Sequence, residues 1–272
     1  MHRALITGGT SGIGAAFARE FAKRRVDLVL VARNADRLSR FAQDLRTRYG
    51  IDVEEMVCDL EVVADRDRVE ERLAQESSEH PAVDILVNNA GFSVRSDILG
   101  EDLSLHDSGI DVMIRAVLHL SNAAGRAMAR RGKGWIINVN SVSGYLPQNN
   151  YSAIKAWGNT YTEALAVRLA GSGVHVTSLQ PGWVRTEFHE RAGISGSSIP
   201  DFLWLSPERL VRECLQDVAR GKLISVPSKR FKVLAFLARI APRNIMHSIA
   251  AWFTKRRNSE KPLSQSATKG SK

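Results

Sequence analysis

The chain has 272 residues, of which 44% are hydrophobic and 25% charged, with a net charge of +9. An apolar share in the ordinary globular range excludes a wholly disordered chain, and 20 glycines without a period exclude a collagen-like one. Residues 1–228 hold 27 basic and 28 acidic side chains, whereas residues 229–272 hold 11 basic ones and a single acid, Glu260. A near-neutral body with a basic end and no recognition motif argues against nucleic acid as a partner. Cys58 and Cys214 are too few for a disulfide framework and lack metal-ligand spacing, so no metal site is expected and a reducing, cytoplasmic setting is. No apolar run reaches the length of a membrane span, and the first seven residues lack the apolar stretch of a signal peptide.

Short apolar strands alternate with helical patterns along the chain. The first strand, Ala4–Thr7, runs into Thr7-Gly8-Gly9-Thr10-Ser11-Gly12-Ile13-Gly14 and a helix over Ala15–Arg24. Glycines between a first strand and a first helix permit a tight turn. They also let backbone amides approach a pyrophosphate at the positive end of the helix dipole. The second strand, Leu28–Ala32, ends at Arg33 and is followed by a helix over Ala35–Arg48. Strands at Val53–Val57, Ile85–Asn88, Trp135–Val139, Val174–Leu179 and Leu223–Val226 follow. Continuous apolar strands separated by helices predict an α/β fold, a Rossmann-like doubly wound parallel sheet forming one domain over 1–228.

Five ordered motifs carry a resemblance. Thr7-Gly8 through Gly12 and Gly14 is similar to the T-G-x-x-x-G-x-G loop of the classical short-chain dehydrogenase/reductase family. Asn88-Asn89-Ala90-Gly91 matches its N-N-A-G, and Asn138-Val139-Asn140-Ser141 keeps the second serine of its N-x-S-S. Tyr151-Ser152-Ala153-Ile154-Lys155 matches Y-x-x-x-K, and Pro181-Gly182-Trp183-Val184-Arg185-Thr186 matches P-G-x-V-x-T. The resemblance implies a nicotinamide cofactor and carbonyl/alcohol chemistry, with Ser141, Tyr151 and Lys155 as the catalytic groups. It implies a cofactor site of Gly8, Thr10, Ser11, Gly12, Ile13, Gly14, Asp59, Asn89, Ala90, Gly91, Tyr151, Lys155, Pro181, Gly182, Val184 and Thr186. Asn88 is expected to tie strands together, and Asp59 has helix N-capping as an alternative role.

An acid at the end of the second strand would select NAD(H). Ala32 occupies that place and Arg33 follows, which favours a charge-assisted clamp on the 2′-phosphate of NADP(H) and leaves NAD(H) as the alternative. Tyr151 and Lys155, four residues apart, share one face of a helix. The lysine cation and an oxidised nicotinamide are expected to lower the phenol pKa from its usual ~10. Two departures stand out. Met113 occupies the place of the family's asparagine, and a thioether cannot relay protons as an amide does. The ten-residue step from Ser141 to Tyr151 is also shorter than the family's usual one.

Residues 187–205 form the expected substrate loop, with Phe188, Ile194, Ile199, Phe202, Leu203 and Trp204 as apolar contacts and Gly193 and Gly196 as hinges. Residues 229–257 read as two basic amphipathic helices separated by Pro242, and 258–272 as a disordered tail. The extension fits peripheral contact with an anionic membrane, or a helical cap over the cleft or a dimer contact. The whole points to an NADPH-dependent reductase of ketones on an apolar, lipid or 3-oxoacyl substrate, similar to 3-oxo-lipid and mycolate-type ketoreductases, in a homo-oligomer. The alternatives are an NAD(P)-dependent alcohol or hydroxysteroid dehydrogenase, and a low-turnover nucleotide-binding protein with a membrane or partner role.

Overall fold

The computed structural model describes residues 2–94, 96–186 and 204–259, with side chains as far as Ala251. Its seven strands form one parallel sheet in the order β3-β2-β1-β4-β5-β6-β7. They are β1 (Arg3–Thr7), β2 (Asp27–Ala32), β3 (Val53–Val57), β4 (Ile85–Asn88), β5 (Gly134–Val139), β6 (Val174–Leu179) and β7 (Ile224–Ser225). Each expected strand is present, within one residue at either end. Helices α1 (Gly12–Lys23), α2 (Ala35–Tyr49), α3 (Val63–Ala74), α4 (Ser104–Ile110), α5 (Ala116–Arg131), α6 (Asn150–Arg168) and α7 (Pro207–Ala219) connect them. Two more, α8 (Lys229–Ile240) and α9 (Arg243–Ser259), follow the sheet. Pro242 separates these two, because it can neither donate a backbone bond nor continue the preceding helix.

The sheet is buried on both faces, which explains the unbroken apolar reading of its central strands. On one side Ala4, Ile6, Leu28 and Leu30 pack on Phe17, Phe21, Leu38 and Leu210. On the other, Leu5, Val29, Leu86 and Ile136 pack on Val69, Leu73, Leu120 and Ile154. The strand order reverses between β1 and β4, and that reversal opens a crevice at the carboxyl ends of the strands. Every motif singled out from the sequence lies at that end.

Candidate active site

The crevice is framed by hydrogen bonds between two loops. Thr7 Oγ1 accepts the amides of Asn89 and Ala90 at 2.9 and 3.0 Å, and Asn89 Nδ2 donates to the carbonyls of Thr7 and Gly8. The Gly8 amide donates to Val31 at 2.9 Å. Asn88 ties strands, since its Nδ2 donates to Asn138 Oδ1 and Ser121 Oγ. Asn89 therefore acts through its side chain as a brace of the glycine loop. The structure gives it more than the backbone approach that the motif implied.

The glycine loop fits a dinucleotide. Gly12 has φ +50°, and a Cβ there would stand 3.2 Å from Thr186 Cγ2, so Thr186 borders the loop from across the crevice. Gly14 packs so tightly that a Cβ would run into the Gly8 carbonyl oxygen. Ser11, at the N-cap of α1, makes no side-chain capping bond. The first amides of the helix are thus not capped from within, as an anion at this helix end requires. Gly14→Ala is expected to cost about 1–3 kcal/mol of stability through this overpacking, read as a fall in Tm of the cofactor-free protein. An unchanged Tm would show that the loop yields easily.

At the exit of β2, the Arg33 guanidinium lies 3.5 Å from Asp59 Oδ2 and 3.6 Å from Glu61 Oε1, with most of its side chain exposed. Asp59 does not cap a helix: α3 starts at Val63 behind Val62, and Asp59 Oδ1 instead accepts the Glu61 amide in a local turn. Asp59 is therefore a partner of Arg33 at the exit of β2. The sequence reading passed over Arg37. In the first turn of α2, its Nε donates to the Thr10 carbonyl of the glycine loop at 3.1 Å, a partner 27 residues away that no local spacing signals.

Ser141, Tyr151 and Lys155 converge on the exit of β5. Asn149 caps α6 by accepting the Ser152 amide, so Tyr151 and Lys155 stand in its first two turns. Lys155 Nζ donates to the Val139 carbonyl at 2.9 Å and lies 5.6 Å from the centre of the Tyr151 ring. One turn further, Asn159 Nδ2 donates to the Ser141 carbonyl. Ser141 Oγ accepts the Ser143 amide at 3.1 Å and reaches the Pro181 carbonyl at 3.5 Å, which places it between the β5 and β6 exits. The short Ser141–Tyr151 step is taken up by a 3-10 turn, Val142–Tyr145, pressed so closely on α6 that Gly144 leaves no room for a Cβ.

Burial pushes the Tyr151 phenol above its ordinary value; the lowering expected beside an oxidised nicotinamide concerns the cofactor-bound site. The same burial pushes the Lys155 ammonium down to about 8. In this state the phenol is neutral across the physiological range.

Met113 lies on a π-helical turn, Asp111–Arg115, between α4 and α5, and is buried. A Cβ on Gly91 would stand 3.0 Å from its Sδ, so the thioether does face the Asn89-Ala90-Gly91 loop. Across the crevice, Val184 pairs with Leu205, and the Arg185 guanidinium sits 5.9 Å from the Trp204 ring. The remaining expected loop contacts, Phe188, Ile194, Ile199, Phe202 and Leu203, and the hinges Gly193 and Gly196, lie outside the described residues. So does the 260–272 part of the tail.

Comparison with known proteins identifies the family. The family model for short chain dehydrogenase matches residues 2–194. The galactitol 2-dehydrogenase (L-tagatose-forming) of Cereibacter sphaeroides is 32% identical over 240 residues, 86% of this chain and 92% of that protein. The very-long-chain 3-oxoacyl-CoA reductase of Anas platyrhynchos is 30% identical over 222 residues, 79% of this chain and 68% of that protein. Among solved structures, a short-chain dehydrogenase from Sphingobium yanoikuyae in complex with NADPH superimposes with a TM-score of 0.78. It is 30% identical and covers 98% of this chain and 99% of its own. The chain belongs to the short-chain dehydrogenase/reductase family and is an NAD(P)(H)-dependent oxidoreductase.

Proposed function

We propose that the chain reduces a ketone on an apolar substrate to a secondary alcohol, with NADPH as the reductant. The observation that carries this reading is the neutral Tyr151 phenol held one helical turn before Lys155 at the exit of β5. When bound, the reduced nicotinamide supplies a hydride to the carbonyl carbon. Tyr151 donates its phenolic proton to the carbonyl oxygen, and Ser141 orients that oxygen by hydrogen bonding. Lys155 holds the nicotinamide ribose and its charge steadies the phenolate left behind. Gly8, Thr10, Ser11, Gly12, Ile13 and Gly14 cradle the pyrophosphate. Asn89, Ala90, Gly91, Pro181, Gly182, Val184 and Thr186 line the nicotinamide side, with Thr186 holding the carboxamide.

NADPH is preferred over NADH because the exposed Arg33 follows β2 and Arg37 reaches the glycine loop, so both are available to clamp a 2′-phosphate, with Asp59 assigned to the adenine end. The apolar residues of 187–205 favour a ketone on a lipid or 3-oxoacyl chain over a charged one. One relative is named for a polyol and another for an acyl-CoA, so the preference rests on this chain's own loop. We assign 1–228 to the catalytic domain and 229–257 to a basic amphipathic extension of it. Among the described residues no helix is long and apolar enough to cross one. Met113 supports a second reading, a nucleotide-binding protein of low turnover, because it withholds the amide that the family uses at that position.

The test is consumption of NADPH against a panel of apolar ketones and 3-oxoacyl compounds. Turnover of apolar members, with NADH markedly poorer, is expected. No consumption with any of them would sink the reductase reading and leave the second. Because burial brings Lys155 to about 8, kcat/KM for reduction is expected to fall as pH rises through about 8. Lys155 then loses its cation while the phenol stays protonated. A profile flat from pH 7 to about 9 would remove Lys155 from this role.

A further inference from the structure

Helix α8 is oriented the wrong way for a surface helix in water. It turns Phe231 and Ala235 inward, where both are buried. The side away from the body should then be polar. Instead Val233, Phe236, Leu237 and Ile240 project from the side opposite Phe231, and between 51% and 61% of each is exposed. α9 adds exposed Ile245 and Ile249. Lys229, Arg230, Lys232, Arg239 and Arg243 border the stripe, and the sequence has no acid from 229 to 259. A recess of about 380 Å³ between α8 and the β7 edge is lined by Phe236 and Ile240 together with Lys232 and Arg239, so the stripe and its cations border the same recess.

We propose that α8 and the start of α9 dock on an anionic lipid surface. The stripe enters the boundary between headgroups and acyl chains, and the flanking cations meet lipid phosphates. Charge decides the occupant. A two-fold contact with a second copy would set these cations against one another, with Glu213 of α7 beside Lys232 and no acid on the extension's described residues to separate the rest. A nucleic acid would neutralise the cations but leave the apolar stripe in water. An anionic bilayer satisfies both halves of the surface.

Docking would also place the crevice near the membrane. The buried side of α8 holds the loop that leads to Thr186: the Phe231 ring sits 5.9 Å from that of Trp183 and leaves no room for a Cβ on Gly182. As a route for substrate, docking rests on the reading of that substrate as lipid-like. As a surface, it stands on α8 and the start of α9 without that reading.

The test is co-sedimentation of the full chain, loaded with NADPH, with vesicles of phosphatidylcholine alone or mixed with phosphatidylglycerol. Binding to the mixed vesicles at least about tenfold tighter than to the neutral ones, and weakened by salt, is expected. The exposed double variants Phe236→Ser/Ile240→Ser and Lys232→Glu/Arg239→Glu should each lower that binding about tenfold or more. NADPH oxidation with a short water-soluble ketone should be unchanged in both. Absence of vesicle binding, or equal binding to neutral vesicles, would overturn the proposal. So would a concentration-dependent dimer, seen by sedimentation equilibrium, that Phe236→Ser/Ile240→Ser abolishes. Vesicle binding without reduction of any ketone would overturn the reductase reading and uphold the docking surface.

Discussion

Tyr151→Phe is expected to lower kcat for ketone reduction by about 10²–10⁴-fold, the usual span of general acid catalysis, while NADPH affinity stays within a few-fold. The substitution removes one oxygen and its proton and keeps the ring, which packs against the core cluster on that side of the sheet. The fold and the Lys155–Val139 contact should therefore survive. Stopped-flow hydride transfer, with NADPH binding followed by its fluorescence, separates the two quantities. Retained turnover would mean that the proton comes from elsewhere, and the raised phenol pKa would then have no bearing on catalysis. A loss of NADPH affinity equal to the loss of rate would instead make Tyr151 a binding group.

The second large effect concerns the choice of cofactor. Arg33→Ala is expected to weaken NADPH by about ten- to a hundredfold and NADH hardly at all. A charge-assisted hydrogen bond to a phosphate contributes about 1.5–3 kcal/mol. Most of the Arg33 side chain is exposed, so its existing contacts with Asp59 and Glu61 contribute little to folding and are free to rearrange. Arg37 is already bound to the Thr10 carbonyl. For that reason Arg37→Ala should weaken both cofactors by loosening the glycine loop, on top of any loss specific to the phosphate. Equal weakening of NADPH and NADH by Arg33→Ala would sink the assignment.

Much of the site was legible because its residues lie at strand exits, where order along the chain and order in space agree. The glycine loop, Asn89, Ser141, Tyr151 and Thr186 each follow a parallel strand. A parallel sheet with right-handed crossovers brings all such exits to one end. What could not be read were contacts that depend on side chains from different strands. Asn140 is an example: its Nδ2 meets Gly158, Thr162 and Ser178, from α6 and β6, in a polar network that no local pattern announces. Arg37 escaped notice for the same reason, since its partner lies 27 residues away in the chain.

Two outcomes needed the tertiary structure. The raised pKa of Tyr151 is one, because spacing shows which charge is near but not how much water is excluded, and burial is the cause of the rise. The basic extension, likewise, was recognisable as amphipathic from its sequence, but a periodic pattern does not say which side a helix turns to the body. Phe231 and Ala235 settle that by packing inward beside Gly182 and Trp183, which leaves Val233, Phe236, Leu237 and Ile240 outside. By itself the sequence determined the fold class, the family and the place of each catalytic candidate, because these follow from local periodicity and from motifs at strand ends. The protonation state of the site and the outward face of α8 were decided only in three dimensions, because both depend on which groups are shielded from water.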